Sequence, residues 1–150
     1  MKRILSLAAV TIVICLIATA SFGQAENLKL RFHVPFPFTA ENATFEAGDY
    51  EVTEPGHLVL ELRNVATQAA AFEHARPAGS EPKANGRVRL IFHRYGGTYF
   101  LAGVSDGSLA STYDLRPSKE EQALASPKAQ SKIVNVMADG SVQTNNTGPK

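Results

Sequence analysis

The segment from Arg87 to Val104 constrains the fold of this chain more than any other. Apolar and polar residues alternate on both sides of Gly96 and Gly97, and a period of two is typical of β-strands. Two adjacent glycines provide the positive φ angles of a primed two-residue turn, so the segment predicts a tight β-hairpin with a positive φ at Gly97. The turn also sets the register, for which we expect the pairs Tyr95–Thr98, Arg94–Tyr99, His93–Phe100 and Phe92–Leu101.

Apolar residues lie on both faces of this hairpin. The alternation places one set on each face: Val88, Leu90, Phe92 and Leu101 on the first, and Ile91, Phe100, Ala102 and Val104 on the second. Strands that are apolar on both faces are typical of the interior of a domain. We therefore expect the hairpin to be central and covered on both sides.

Other short segments show the same alternation, and the 11 Gly and 8 Pro of the chain favour turns between them. The segments that favour strands are 28–34, 50–53, 58–63, 68–76, 109–115 and 133–138. A reversal is expected over Glu54 to His57. The sequence thus predicts an all-β domain, a single small antiparallel sandwich or partly open barrel of about seven or eight strands.

One short helix is expected near the C-terminus. Ser118 is followed three residues later by Glu121, which is the spacing of a capping box. This pattern predicts a helix over Lys119 to Ala125. The domain would cover residues 24–144, and the tail 145–150 lacks apolar residues and is predicted to be disordered.

Residues 1–23 have the order of a secretory signal peptide. Lys2 and Arg3 precede an apolar run that ends in small residues. Cleavage sites are possible after Ala20, Gly23 or Ala25, and cleavage after Gly23 is preferred. An uncleaved anchor is one alternative, and lipidation at Cys15 is another. We expect a cleaved signal and a protein located in the periplasm or outside the cell.

The charge balance gives no indication of a charged partner. The chain has 15 basic and 14 acidic residues, and loss of Lys2 and Arg3 would leave 13 basic residues. Such a balance argues against binding to nucleic-acid phosphates. Loss of Cys15 would leave a chain without cysteine, which excludes disulfides, thiol catalysis and thiolate metal ligation from the mature protein.

The four histidines do not have the spacing of a metal site. No H-x-x-x-H or H-E-x-x-H pattern occurs, and no cofactor motif accompanies them. We expect structural or solvent-facing roles for His33, His57, His74 and His93.

Catalytic arrangements are equally weak. Ser105, Asp106 and His93 are the residues from which a nucleophilic site could be imagined, yet the chain has no G-x-S-x-G elbow. Asp49 and Glu51 form a pair of carboxylates, but they are two residues apart on one strand face, as expected for the solvent-exposed positions of an alternating strand. The sequence therefore predicts a protein that is not an enzyme.

The most distinctive exposed residues are Arg94, Tyr95 and Tyr99. Tyrosine and arginine on strands suit the recognition of glycans or proteins. A cation–π pair between Arg94 and Tyr99 that only stabilises the hairpin is the alternative, and it is preferred.

Four motifs in order resemble a family of small secreted proteins from acidobacteria. They are the segments Val34 to Thr39 (VPFPFT), Ala47 to Tyr50 (AGDY), Leu90 to Leu101 (LIFHRYGGTYFL) and Leu115 to Glu121 (LRPSKEE). Pro37 stands where the family pattern has an acidic residue. The resemblance implies an exported β domain and no particular activity.

These observations together predict an exported, non-catalytic β domain that acts by binding or as a structural component of the cell envelope. Its partner would be an envelope protein or glycan. The rival hypothesis is a carrier of small molecules or lipids, with a barrel cavity lined by residues such as Phe32, Tyr50, Phe92 and Phe100. An exported hydrolase is a third possibility, for which no motif is present.

Overall fold

The computed structural model describes residues 28–78, 86–107, 112–125 and 131–146. The predicted signal peptide with Cys15 lies outside these residues. Within them, no helix is long and apolar enough to cross a membrane.

The described residues form an all-β domain with one short helix, as predicted. The strands number 11 rather than seven or eight. They are β1 (Lys29–Val34), β2 (Phe38–Ala40), β3 (Ala43–Phe45), β4 (Gly48–Gly56), β5 (Val59–Asn64), β6 (Ala70–Pro77), β7 (Val88–Tyr95), β8 (Thr98–Asp106), β9 (Thr112–Leu115), β10 (Lys132–Met137) and β11 (Val142–Asn146), and the helix is α1 (Lys119–Leu124).

The strands form one curled antiparallel sheet, in the shape of a half-barrel. Its order is β1-β4-β5-β6-β9-β8-β7-β10-β11. The sheet curls far enough for β1 to approach β7 and β10. The β2–β3 hairpin lies off this path and joins it through one parallel bridge between Thr39 and Phe100.

The interior of the half-barrel is filled by aromatic side chains. The Phe38 ring centroid lies 5.5 Å from Phe45, 5.1 Å from Tyr50 and 5.3 Å from Phe92. Burial of each such ring contributes about 1.5–3 kcal/mol. Phe32, Tyr50 and Phe92 belong to this buried core cluster.

Two prolines end strand β1 next to the aromatic residues that pack into the half-barrel. Pro35 and Pro37 interrupt the strand after Val34, because each lacks the N–H that a sheet ladder needs. Phe36 and Phe38 are both packed: Phe38 is 2 % exposed, and Phe36 packs against the core as a partly buried residue.

The central hairpin is confirmed, and its register over the four predicted pairs is as expected. The turn differs in one respect. The positive φ, +60°, belongs to Gly96 and not to Gly97, which is the pattern of a type II′ turn. The prediction of a positive φ at Gly97 was wrong, because a type II′ turn is also primed and needs only its first residue in that region.

A β-bulge changes the faces of β8. Ile91 pairs with Gly103 and Phe92 with Leu101, so Ala102 is an extra residue. Beyond the bulge, Val104 pairs with Leu90 and faces the core with it. The assignment of Val104 to the second face was therefore wrong.

The β4–β5 turn lies later than expected. β4 continues through Gly56, and Gly56 pairs with Val59, so the turn residues are His57 and Leu58. Leu58 has a positive φ of 58°. Its backbone N–H donates to Glu54 Oε1 at 3.2 Å, and this bond stabilises the unusual turn residue.

Helix α1 and strand β10 follow the predictions closely. Ser118 Oγ accepts the N–H of Glu121 at 3.1 Å and caps the helix. Strand β10 pairs with β11, which runs to Asn146. Asn145 and Asn146, which had been assigned to a disordered tail, therefore belong to a strand, because they pair with Ile133 and Lys132.

Candidate functional site

The structure separates the three predicted surface residues. Arg94 Cζ lies 5.3 Å from the centroid of the Tyr99 ring, so the predicted cation–π pair is present. Arg94 Nε also donates to the carbonyl oxygen of Gly96 at 2.7 Å. The ring of Tyr99 also stacks on Phe36, with centroids 3.9 Å apart. Arg94 and Tyr99 thus belong to a layered contact that joins the hairpin to the first proline-containing segment.

Tyr95 lies on the opposite face of the sheet. Its ring packs edge-on against Phe100, 6.0 Å away. Burial raises the pKa of the Tyr95 hydroxyl, and the nearby charge of Glu121 raises it further. Phe100 is 1 % exposed, so the outer face of the central hairpin is covered beside Tyr95. Ile91 and His93 on the same face are only half-buried, so the cover expected on both sides is complete on the core face and partial on the outer face.

The residues of the imagined nucleophilic site do not meet. Ser105 pairs with Arg89, which lies four residues from His93 along β7, or about 13 Å. Ser105 Oγ instead accepts from Thr112 and Gly107, and His93 Nδ1 lies 2.7 Å from Glu121 Oε1. Among the described residues, no group of three or more potential ligands could hold a metal ion.

The carboxylates of Asp49 and Glu51 take part in ion pairs across β1 and β4. Asp49 Oδ1 is 2.8 Å from His33 Nδ1, and Glu51 contacts Lys29 at 3.0 Å and Arg31 at 3.2 Å. The hydrogen bond from Lys29, with that from Arg31, lowers the pKa of the Glu51 carboxyl. These pairs explain the alternating charges of both strands without a catalytic role.

A cleft of about 530 Å³ lies on the outer face of the sheet, opposite the core. We call it the arginine cleft. It crosses the sheet along paired residues from Arg76 on β6 to Asn145 on β11. Its lining combines polar and apolar side chains: Arg76, Ala78, Arg89, Ile91, His93, Ala102, Thr112, Asp114, Leu115, Pro117, Ile133, Asn135 and Asn145.

The arginine cleft lies over a part of β8 whose residues have little or no side chain. Gly103 lies between Ile91 and Asp114 in the paired row, and the bulge residue Ala102 precedes it. A Cβ atom at Gly103 would lie 2.7 Å from the carbonyl oxygen of Tyr113. Only glycine fits this close approach of β8 to β9, and the missing side chain leaves the middle of the outer face open.

Arg89 is the notable polar residue of this cleft. Its Nε is buried and, within the part of the chain that the structure describes, has no hydrogen-bond partner. A buried donor without an acceptor costs about 1–3 kcal/mol. Arginine cannot escape this cost by losing its proton.

Two other basic side chains of the arginine cleft have carboxylate partners. Arg76 Nη2 lies 3.8 Å from Asp114 Oδ2 at the rim, where both side chains are exposed. His93 is paired with the buried Glu121. Among the described residues of the lining, Arg89 is therefore the cation with a buried donor that lacks a partner.

A second cleft, of about 430 Å³, lies on the other side of Pro117. We call it the glutamate cleft. It lies between β6, the turn between β2 and β3, and the start of α1, and it is lined by Glu41, Asn42, Phe72, Glu73, His74, Arg116, Pro117, Ser118, Lys119 and Gln122.

Glu73 is the unusual residue of the glutamate cleft. It is only 5 % exposed and pairs with the core residue Leu60, whereas its neighbour Phe72 is 53 % exposed. Burial raises the pKa of the Glu73 carboxyl to about 7. The backbone N–H of Glu41, a turn residue with φ of 55°, donates to this carboxyl, while the charge of Glu41 opposes its ionisation.

Neither Arg89 nor Glu73 was predicted as a site residue. Alternation does place Arg89 on the same face as Ile91, so a charged residue on a largely apolar face was a usable signal. Glu73 alternates with Ala71 and Ala75. Because alanine is only weakly apolar, the sequence does not show that this face of the strand points inward. The sequence offered no comparable signal for the clefts themselves, which depend on the bulge and on contacts between distant segments.

Comparison of the chain with protein-family models, with curated proteins and with solved structures gave no match.

Proposed function

We propose that this chain is an exported, non-catalytic binding domain that holds a small organic molecule in the arginine cleft. The observation that carries the proposal is the buried Arg89 Nε without a partner in the wall of a cleft of about 530 Å³. Sites for small molecules usually have volumes of about 300–1,000 Å³ and combine an apolar lining with a few polar groups.

The packed interior supports a cleft on the outer face rather than a barrel cavity. Phe38 and its aromatic neighbours fill the half-barrel. The ring of Tyr99 already contacts Phe36 and Arg94, which leaves less of it for contact with a partner. This favours a structural role for the hairpin surface.

Fluorescence titration with three naphthalene derivatives tests the binding function. The probes are naphthalene sulfonate, naphthalene methanol and naphthalene methylamine, which share one apolar body and differ in charge. At least one should bind the wild type. Replacement of Ala102 with Trp should fill the cleft and abolish binding, whereas Ala123→Trp, on the exposed side of α1, should not. Absence of binding by all three probes, or equal binding by Ala102→Trp, would contradict the proposal.

Export is tested separately. The basic start, apolar run and small residues before Gly23 support a cleaved signal peptide. N-terminal sequencing of the exported protein should begin at or near Gln24. Recovery of Met1 from the exported protein would contradict cleavage.

A further inference from the structure

We infer that the ligand of the arginine cleft is a compact organic anion whose acidic group binds Arg89. The inference rests on the proposed binding function and goes further by naming the charge, the shape and the chemical class of the ligand. The expected ligand is a carboxylate, sulfonate or phosphate attached to a small apolar body.

The charge follows from the unused donor of Arg89. The guanidinium group stays protonated and offers five N–H donors in a planar fork. Carboxylate, sulfonate and phosphate groups present oxygen acceptors that match this fork, and such charge-assisted hydrogen bonds are stronger than neutral ones. A neutral or cationic ligand would leave this charge without a counter-ion.

The remaining ionic groups do not compete for this role. Asp114 faces Arg76 at the rim and Glu121 faces His93. Each carboxylate therefore has a nearer basic partner than Arg89. The cleft has a place for one additional negative charge, beside Arg89.

The apolar part of the ligand follows from the neighbours of Arg89. Ile91 lies two residues along the same strand face, and Ile133 on β10 pairs with His93 on that face. Ala102 and Leu115 extend the apolar lining. Burial of a hydrocarbon body on these residues gains about 25 cal/mol for each Å².

The volume limits the size of that body. About 530 Å³ suits a compact molecule rather than the two acyl chains of a phospholipid. Asn135 and Asn145 line the same cleft and offer amide groups to polar substituents of the ligand. We therefore expect a free organic acid rather than a lipid in a membrane.

The naphthalene series separates the charge of the ligand from binding itself. Naphthalene sulfonate should bind the wild type at least about tenfold more tightly than naphthalene methanol or naphthalene methylamine, because only the sulfonate bonds to Arg89. Equal affinity for the three compounds would overturn the anionic assignment while leaving the binding function intact. Failure of all three to bind would instead overturn the binding function.

Variants test the role of Arg89 directly. Arg89→Gln should weaken sulfonate binding about 10- to 100-fold and so remove the preference for naphthalene sulfonate over naphthalene methanol. Arg89→Lys keeps the charge without the fork and should have an intermediate effect. Arg31→Gln, on the distant strand β1, is the matched control and should bind as the wild type does. Circular dichroism confirms that each variant is folded.

Anionic phospholipid vesicles provide the final test, which distinguishes a free organic acid from a lipid headgroup. Vesicles of phosphatidylglycerol should not retain the protein, whereas the sulfonate should bind it. Retention on the vesicles that Arg89→Gln abolishes would overturn the assignment to a free organic acid in favour of a lipid headgroup. Unchanged sulfonate binding by folded Arg89→Gln would overturn the role of Arg89.

Discussion

The two clefts on either side of Pro117 each contain a buried ionisable group, and the two groups respond to burial in opposite ways. Glu73 can take up a proton, and burial raises its pKa to about 7. Arg89 cannot release its proton, so its buried Nε needs an acceptor. The glutamate cleft can thus neutralise its charge alone, while the buried Nε–H of Arg89 in the arginine cleft lacks an acceptor. This difference is why we assign ligand binding to the arginine cleft.

Arg94 on the hairpin is a third case, because its side chain already has a hydrogen-bond acceptor and an aromatic neighbour. Arg94 donates to the carbonyl of Gly96 and lies over the ring of Tyr99. Arg94 and Arg89 are on the same strand but on opposite faces. A comparison of the two residues separates an arginine that stabilises the fold from one that we propose to bind a ligand.

The largest expected effect concerns Glu73 and is dependent on pH. The folded-state pKa of about 7 exceeds the ordinary value of 4.5, so the stabilisation by the proton is complete below about pH 4.5 and is lost as the pH rises to about 7. The full loss is about 3 kcal/mol. Glu73→Gln cannot ionise and should be about 3 kcal/mol more stable than the wild type near pH 8.

Urea denaturation at about pH 4.5 and pH 8 measures this difference. Glu120→Gln, on the exposed side of α1, is the control and should follow the wild type at both values. Parallel stability profiles of Glu73→Gln and the wild type would mean that Glu73 is ionised in the folded chain, and the contrast with Arg89 would fail.

The second prediction concerns the turn whose Gly96 carbonyl oxygen accepts a hydrogen bond from Arg94. Gly96→Val should destabilise the fold by about 1–3 kcal/mol, because valine is strained at a positive φ of 60°. Gly97→Val should have a much smaller effect, since φ is not positive there and a Cβ has no neighbour within 4 Å. Thermal denaturation of both variants provides the measurement. The opposite order of stability would show that the turn is not of type II′.

The hairpin also shows which parts of the structure the sequence could predict. Period-two alternation and the glycine pair were sufficient for the strands and for the register from Phe92 to Leu101, because both depend on neighbouring residues. The bulge at Ala102 depends on the close approach of β9 to Gly103, which no local pattern records. Val104, which follows the bulge, therefore lies on the face opposite to the predicted one.

The candidate sites show the same limit. The sequence identified Arg94 and Tyr99 as a pair, since they face each other across a tight hairpin. It did not indicate that Phe36 would cover Tyr99, because that contact joins segments far apart in the chain. Arg89 and Glu73 were missed for the same reason: their burial comes from distant elements.

The third prediction tests the satisfied arginine. Replacement of both Arg94 and Tyr99 with Ala should lower the free energy of unfolding by about 1 kcal/mol or somewhat more, because the cation–π contact and the stacking on Phe36 are lost. Binding of naphthalene sulfonate should not change. A folded double variant that keeps its melting temperature but loses the probe would place the binding site on the hairpin instead.

The smallest expected effect on stability is that of Arg89→Met. Removal of a buried donor without a partner should leave the free energy of unfolding within about 0.5 kcal/mol of the wild type, or raise it. Arg94→Met, on the same strand, should destabilise the fold because it loses its contacts. Chemical denaturation of the pair decides the matter, and a loss of more than about 2 kcal/mol for Arg89→Met would indicate that the fold itself satisfies Arg89.

The most direct test of the anion site is an NMR titration that follows the arginine Nε–H resonances of isotope-labelled protein. Addition of naphthalene sulfonate should shift the Arg89 Nε–H signal downfield, as expected when this donor gains a charged acceptor, and should leave the signals of Arg31 and Arg94 in place. Binding of the sulfonate with no change at Arg89, or with its largest shift at Arg94, would contradict the assignment of the arginine cleft.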